Sequence, residues 1–177
     1  MPGAGKSEVA KRLAEVLNAK LLNMGDVVRE EAVKRGLSID RSSLMNLAKS
    51  LREELGPGVV AEVLMSKINE DGVYVIDGVR SLHELRKFNA GGKVLLVAVH
   101  ASPKTRYYRL SSRGREDDPK NWDEFVERDL KELKLGVGEV IALADVMLVN
   151  EGEDLESLVN RALEVIHKVL ANVPAEG

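Results

Sequence analysis

The chain has 177 residues, of which 44% are hydrophobic and 31% charged, the size and composition of a single globular domain with a buried core. A formal net charge of −3 disfavours a general nucleic-acid binder, and the absence of cysteine excludes disulfides, thiolate metal sites and thiol catalysis. The sequence shows no apolar run of membrane-spanning length and no signal-peptide pattern, so we expect one cytoplasmic domain over residues 1–177 that binds neither membrane nor nucleic acid.

The first predicted element is a phosphate-binding loop that leads into a helix. Met1-Pro2-Gly3-Ala4-Gly5-Lys6-Ser7 matches the motif G-x-x-x-x-G-K-[ST] from its second position onward. The glycines let backbone N–H groups point at phosphate oxygens, the lysine adds positive charge, and the serine hydroxyl can bind Mg²⁺. The alternative is a glycine-rich turn that only caps a helix. We predict that ATP phosphates contact Pro2, Gly3, Ala4, Gly5, Lys6 and Ser7.

The sequence lacks the element that normally precedes such a loop. A buried strand and the first glycine of the motif should stand before Met1, and neither is present. Two explanations stay open: Met1 is an internal methionine of a longer protein, or the loop is poorly anchored. The first is favoured, because omitting a central strand would leave its neighbours with several unpaired backbone groups.

Strands and helices alternate along the rest of the chain. Apolar, β-branched segments predict strands, and apolar residues at helical spacing predict the helices between them. The predicted strands lie near residues 20–24, 72–77, 93–99 and 145–150, and the main predicted helices near residues 6–17, 44–55, 122–133 and 155–169. This alternation is typical of an α/β fold, a doubly wound parallel sheet flanked by helices, here without its first strand.

A carboxylate ends one of the predicted strands. Asp77 closes an apolar segment, which is a costly place for a carboxylate without a function, and α/β domains bind ligands at the carboxyl ends of their strands. The alternative is that Asp77 caps the following helix, although Ser81 is better placed to do so. We predict a Mg²⁺ site formed by Ser7 and Asp77.

Five arginines form a local basic cluster within residues 106–128 of this slightly acidic chain. They are Arg106, Arg109, Arg113, Arg115 and Arg128. Asp117-Asp118-Pro119 predicts a turn, so residues 113–121 should form a short exposed loop. A loop of this kind can close on a triphosphate as a lid and expel water. The alternative is a solvated helix face whose arginines pair with neighbouring acids.

Several short motifs, in this order along the chain, resemble those of adenylate kinase and related nucleoside-monophosphate kinases. They are residues 1–7, Met24-Gly25-Asp26-Val27-Val28-Arg29, Asp77-Gly78-Val79-Arg80, Arg109 with Arg113, and Arg115-Glu116-Asp117-Asp118 followed by Arg128. The loop is specific, each other motif is weak alone, and their order carries most of the weight. The resemblance implies a P-loop NTPase fold with a small helical acceptor lobe, residues 29–61, and a lid, residues 113–121.

The same resemblance implies roles for individual residues. The expected catalytic residues are Lys6, Arg80, Arg113, Arg115 and Arg128, and Arg109 is expected to contact the nucleotide. The expected acceptor-binding residues are Asp26, Arg29, Arg80 and Glu84. Glu84 stands where the adenylate kinases have a glutamine that reads the acceptor adenine, so specificity for AMP does not follow.

The end of the chain has a second resemblance. Residues 144–152 are similar to the end of dephospho-coenzyme A kinases, although Pro2 and Met24-Gly25-Asp26 are typical of the nucleotide kinases. Residues 150–152 are expected either to contact adenine through their backbone or to form a simple turn. The whole chain is similar to an archaeal group of adenylate-kinase-related P-loop proteins.

The leading hypothesis is Mg²⁺-dependent transfer of the ATP γ-phosphate to a nucleoside monophosphate or a similar small acceptor. Small-molecule nucleotides are therefore the expected partners, and the oligomeric state stays open. The alternatives are a dephospho-coenzyme A kinase, a regulatory protein that binds nucleotide without catalysis, and a simple ATPase.

Overall fold

Helices and strands alternate along the chain in a computed structural model that describes residues 1–171. The elements are α1 Lys6–Val16, β1 Lys20–Asn23, α2 Met24–Lys34, α3 Arg41–Leu55, α4 Val59–Met65, β2 Tyr74–Asp77, α5 Leu82–Gly91, β3 Val97–His100, α6 Pro103–Arg113, α7 Trp122–Lys134, α8 Val137–Ala142, β4 Val146–Val149 and α9 Leu155–Ala171. Each predicted strand and each main predicted helix is confirmed, although β3 begins later than expected. Residues 172–177 of the expected domain lie outside the described part.

The sequence did not predict α6 and α8. The residues of α6 that are buried are Arg106 and Leu110, so this helix has no apolar stripe that periodicity could detect. The helix α8 spans only Val137–Ala142, which is too short for a helical period to stand out.

The four strands form two parallel pairs. β1 pairs with β2 from Lys20 opposite Tyr74 to Asn23 opposite Asp77, and β3 pairs with β4 in the same parallel manner. Within residues 1–171, no strand pairs with the second edge of β2 or of β3. This is the arrangement expected for a doubly wound sheet whose central strand is not among the described residues.

Each strand pair has its own apolar core. The first core joins α2, α3, α4 and α5 and contains Val28, Leu51, Leu64 and Phe88. The second core joins α1, β3, β4 and α9 and is built around residues such as Leu148. Since α1 contacts both β2 and α9, it holds the phosphate loop at the boundary between the two pairs.

Side-chain caps set the starts of several helices. The Asp40 carboxylate accepts hydrogen bonds from the backbone of Ser42 and Ser43 at the start of α3, and a cap of this kind contributes about 1 kcal/mol. The Ser81 hydroxyl caps α5, as expected, so Asp77 is not needed for that purpose. No helix within the described residues is long and apolar enough to cross a membrane.

Candidate active site

The phosphate loop has a backbone conformation that needs glycine at two positions. Gly3 and Gly5 have φ angles of 80° and 91°, a left-handed region that side chains disfavour. A Cβ atom on Gly3 would lie 2.8 Å from the Arg106 carbonyl oxygen, and one on Gly5 would lie 2.6 Å from Asn150 Nδ2. The curved backbone of the loop therefore depends on glycine at both positions. Lys6 and Ser7 begin α1 directly after the loop.

Arg106 holds the phosphate loop in place through hydrogen bonds from its buried side chain. It is 4% exposed, and its guanidinium donates to the carbonyl oxygens of Pro2 at 3.3 Å and Ala101 at 3.0 Å. The same group makes two hydrogen bonds to Asp129, at 2.7 and 2.6 Å, and lies 5.0 Å from the ring centre of Phe125. The sequence indicated only an arginine cluster here, and the buried anchoring role was missed.

The predicted metal-binding residues lie together. The Ser7 hydroxyl donates to Asp77 Oδ2 at 2.7 Å, and Lys6 Nζ lies 3.4 Å from Asp77 Oδ1. Asn23 Nδ2, one strand away, donates to Asp77 Oδ2 at 3.0 Å. The sequence did not single out Asn23, although it also ends a strand and its register partner is Asp77.

This oxygen pair suits Mg²⁺ bound together with phosphate. No three histidine or acidic side chains within residues 1–171 lie close enough to hold a metal ion by themselves. A hydroxyl and a carboxylate are ligands that Mg²⁺ accepts, and it usually completes its shell with water and substrate phosphate oxygens. Ser7 and Asp77 therefore fit a metal that arrives with the nucleotide.

Asn150 connects the phosphate loop to Arg109. Its amide donates to the Ala4 carbonyl oxygen at 3.0 Å and accepts from Arg109 Nη2 at 3.1 Å. Arg109 Nη1 is buried and has no hydrogen-bond partner, and such a charged donor is costly unless a ligand satisfies it. This supports the predicted nucleotide contact of Arg109, whereas the side-chain role of Asn150 was not predicted.

Glu151, the next residue, contacts the residues at the start of α6. Its carboxylate accepts hydrogen bonds from Thr105 Oγ1 at 2.6 Å and Ser102 Oγ at 3.2 Å. The hydrogen bond from Thr105 and a second one from the Ser102 backbone lower the pKa of Glu151. Asn150 and Glu151 therefore connect the end of β4 to the phosphate loop and to α6 through their side chains.

The acceptor-side arginines lie on two different elements. Arg29, on α2, donates through Nε to Asp26 at 3.1 Å, and both side chains are about half exposed. Arg80, in the loop after β2, has Nε 3.3 Å from Glu132 Oε2. Of these residues, Arg29 and Arg80 line the same cleft as the phosphate loop, and Asp26 does not.

Glu84 lies behind Arg80. It is 1% exposed and is not among the residues that line the cleft. One carboxylate oxygen accepts from the Arg80 backbone N–H at 2.8 Å, and the other accepts from Arg52 Nη2 at 2.9 Å. The direct acceptor contact expected for Glu84 has no support in this arrangement. Its carboxylate instead holds Arg80 and Arg52, and Arg52 was not predicted.

The predicted lid is a loop between α6 and α7. Asp118 accepts from Arg113 Nε at 3.1 Å and from the Arg115 backbone at 2.9 Å, and it lies 3.6 Å from Arg128 Nη1. Burial by itself would raise the pKa of Asp118, but these hydrogen bonds and charges outweigh it and lower that pKa. Arg128 Nε is buried without a partner, so it is a second donor that a ligand could satisfy.

All the predicted site residues except Asp26 and Glu84 line one cleft of about 2450 Å³. It is larger than a typical ligand pocket, because it also extends between β2 and β3. The predicted residues that line it are Pro2, Gly3, Ala4, Gly5, Lys6, Ser7, Arg29, Asp77, Arg80, Arg109, Arg113, Arg115 and Arg128.

The chain matches known proteins over nearly all of its length. It is 45% identical over 178 residues to a UPF0200 protein of Thermococcus onnurineus, with 97% of this chain and 95% of the relative covered. The chain belongs to the archaeal UPF0200 family. Residues 1–126 of this UPF0200 chain also match a family model described as an AAA domain.

Two solved structures are similar in fold to this UPF0200 chain. A shikimate kinase from Bacteroides thetaiotaomicron has a TM-score of 0.63 at 19% identity and covers 93% of both chains. A gluconokinase from Sinorhizobium meliloti has a TM-score of 0.57 at 19% identity and covers 96% of this chain and 89% of its own. The UPF0200 chain therefore has a P-loop kinase fold.

Proposed function

We propose that this chain catalyses Mg²⁺-dependent transfer of the ATP γ-phosphate to a nucleoside monophosphate or a similar small acceptor with an anionic group. The observation that carries the proposal is that two groups of residues suited to phosphate line the same cleft. Lys6 and Ser7 lie against Asp77, the last residue of β2, and Arg80 lies in the loop that follows it. Donor and acceptor groups can therefore bind on either side of the end of β2.

Phosphoryl transfer requires the protein mainly to position the two substrates and to neutralise negative charge on the phosphates. An acceptor oxygen forms a bond to the γ-phosphorus, the bond to the β–γ bridging oxygen breaks, and that oxygen keeps the electron pair on ADP. Lys6 and the loop N–H groups would hold the donor phosphates. Arg113, Arg115 and Arg128 would neutralise charge on the transferred group from the lid side, which is the main catalytic contribution expected in such a reaction.

Mg²⁺ would be held by Ser7 and, directly or through water, by Asp77. When bound, it would neutralise negative charge on the donor phosphates. Asn23 and Lys6 both contact the Asp77 carboxylate, so they would fix its orientation before the nucleotide arrives.

The acceptor side is less rigid than the donor side. Arg29 pairs with Asp26, and both are about half exposed, so an incoming phosphate can replace this carboxylate at little cost. Arg80, in contrast, is positioned through its backbone by the buried Glu84. We infer that Arg29 and Arg80 bind the acceptor directly, that Asp26 is the partner that Arg29 gives up, and that Glu84 acts through Arg80.

The proposal is tested by measuring ADP release with different acceptors. The panel contains AMP, CMP, UMP, GMP, dephospho-coenzyme A, shikimate, gluconate and water alone, so it includes the acceptors named in the related folds. Release that needs a nucleoside monophosphate supports the proposal, and release that needs dephospho-coenzyme A supports the second resemblance. Release with water alone indicates an ATPase, and no release with any acceptor indicates a nucleotide-binding regulatory protein.

The variant Lys6→Ala tests whether the phosphate loop takes part in the reaction. It should reduce acceptor-dependent ADP release by at least about 100-fold, because it removes the charge that compensates the outer phosphates. Lys11→Ala is the control, since Lys11 lies on the exposed face of the same helix. Unchanged turnover in the Lys6 variant would remove the loop from the mechanism.

A further inference from the structure

A group of arginines and carboxylates lies where α3 approaches the lid. Arg41 begins α3 and has Nη1 3.5 Å from Asp117 Oδ2 and Nη2 3.5 Å from Glu132 Oε1. The second Glu132 oxygen lies 3.3 Å from Arg80 Nε. Arg128 Nη2 lies 4.0 Å from Asp117 Oδ2. The sequence predicted roles for Arg80 and Arg128 but none for Arg41.

The group has an excess of positive charge inside the cleft. Asp118 pairs with both Arg113 and Arg128, so four guanidinium groups face three carboxylates. All of these residues except Asp118 line the cleft. An anion that enters is therefore attracted even while these pairs are intact, because the low-dielectric walls strengthen the remaining charge.

The two carboxylates that contact Arg41 differ in how easily they can be displaced. The Glu132 side chain is 8% exposed, and separating a buried carboxylate from its arginines would leave an uncompensated charge. The Asp117 side chain is 40% exposed on the lid loop, so it can return to water at little cost. The two contacts with Arg41 have the same length, 3.5 Å, so exposure is what distinguishes the two carboxylates.

We propose that Arg41 is a further anion-binding residue of the acceptor side, which exchanges Asp117 for a phosphate group of the acceptor while Glu132 keeps it beside Arg80. This inference rests on the proposed function, since it names an additional contact for the same acceptor. A phosphate offers more charge and more acceptor oxygens than a carboxylate, so it competes well for the donors that Asp117 occupies.

The competing explanation is that Arg41 only ties α3 to the lid. In that case the contact between Arg41 and Asp117 would stabilise a closed arrangement of the lid. Replacing either residue would then change the Kd for phosphate in the same direction. In the proposed arrangement the two sides have opposite effects, because Arg41 binds the phosphate and Asp117 competes with it. Whether Asp117→Asn lowers or raises the Kd for phosphate therefore distinguishes the two explanations.

The test is a calorimetric titration of inorganic phosphate into protein saturated with Mg²⁺ and ADP, so that the phosphate loop is already occupied. Arg41→Ala should raise the Kd for phosphate about tenfold, the effect of one charge-assisted hydrogen bond. Asp117→Asn should lower that Kd about two- to threefold. Arg35→Ala is the matched control: Arg35 lies in the same lobe, pairs with Glu31 at 2.6 Å and is 39% exposed, and its loss should leave the Kd unchanged.

Two results of these titrations would overturn the inference about Arg41. A Kd for Arg41→Ala within twofold of wild type overturns the inference, and so does an Asp117→Asn variant that binds phosphate more weakly. If Arg41→Ala does not fold by circular dichroism, the exposed Asp117 variant still gives the deciding sign. Wild-type protein that fails to bind Mg²⁺ and ADP refutes the proposed function instead, and the same phosphate titrations without nucleotide then test Arg41 alone.

Discussion

Replacing Asn150 with alanine tests whether the end of β4 prepares the donor site. The side chain makes two hydrogen bonds, one to the Ala4 carbonyl oxygen at 3.0 Å and one from Arg109 at 3.1 Å. The first is neutral and contributes about 1 kcal/mol, and the second involves a charged group and contributes about 1.5–3 kcal/mol. Bound nucleotide would satisfy part of the lost Arg109 contact, so we expect about 1.4–2.8 kcal/mol to appear as weaker binding.

That loss corresponds to a Kd for ADP with Mg²⁺ that is about 10- to 100-fold higher, measured by isothermal titration calorimetry. Asn160→Ala is the matched control, because Asn160 is an exposed asparagine on α9, and its Kd should equal that of wild type. Asn150→Asp should bind more weakly still, since a carboxylate cannot donate to Ala4 and would repel the phosphates. Equal ADP affinity in Asn150→Ala and Asn160→Ala would refute the reasoning.

Three further changes test other parts of the site. Asp77→Asn should lower acceptor-dependent turnover by about 100-fold or more and raise the Mg²⁺ concentration needed for half-maximal rate; an unchanged Mg²⁺ titration would exclude Asp77 from the metal site. Gly3→Ala should lower the melting temperature more than Gly36→Ala, since both glycines have positive φ but only Gly3 has atoms within 4 Å of the added Cβ, and equal shifts would show that the close approach is unimportant. Asp118→Asn should destabilise the protein by about 1–2 kcal/mol at pH 7. Because the folded-state pKa of Asp118 is lowered, the stabilisation is present at neutral pH and is lost as the pH falls through that pKa, so chemical denaturation should show the two proteins converging below about pH 4; a difference that grows in acid would contradict this.

The sequence alone identified the elements that depend on local pattern. The phosphate loop follows from the spacing of its glycines, Lys6 and Ser7, because that conformation needs those residue types whatever surrounds them. The strands and main helices follow from apolar periodicity. Asp77 was recognised because a carboxylate at the end of an apolar strand is costly unless it has a function, and the structure places it 2.7 Å from the Ser7 hydroxyl.

Only the tertiary structure decided which distant side chains hold these elements in place. Asn150 and Ala4 are 146 residues apart in the chain, and Arg106 and Pro2 are 104 apart, so no local pattern connects them. The same applies to Glu84, whose carboxylate could equally have faced a ligand or a neighbouring arginine until packing placed it behind Arg80. Local backbone preferences act over a few residues, whereas the partners of a buried polar group depend on how the whole chain packs around it.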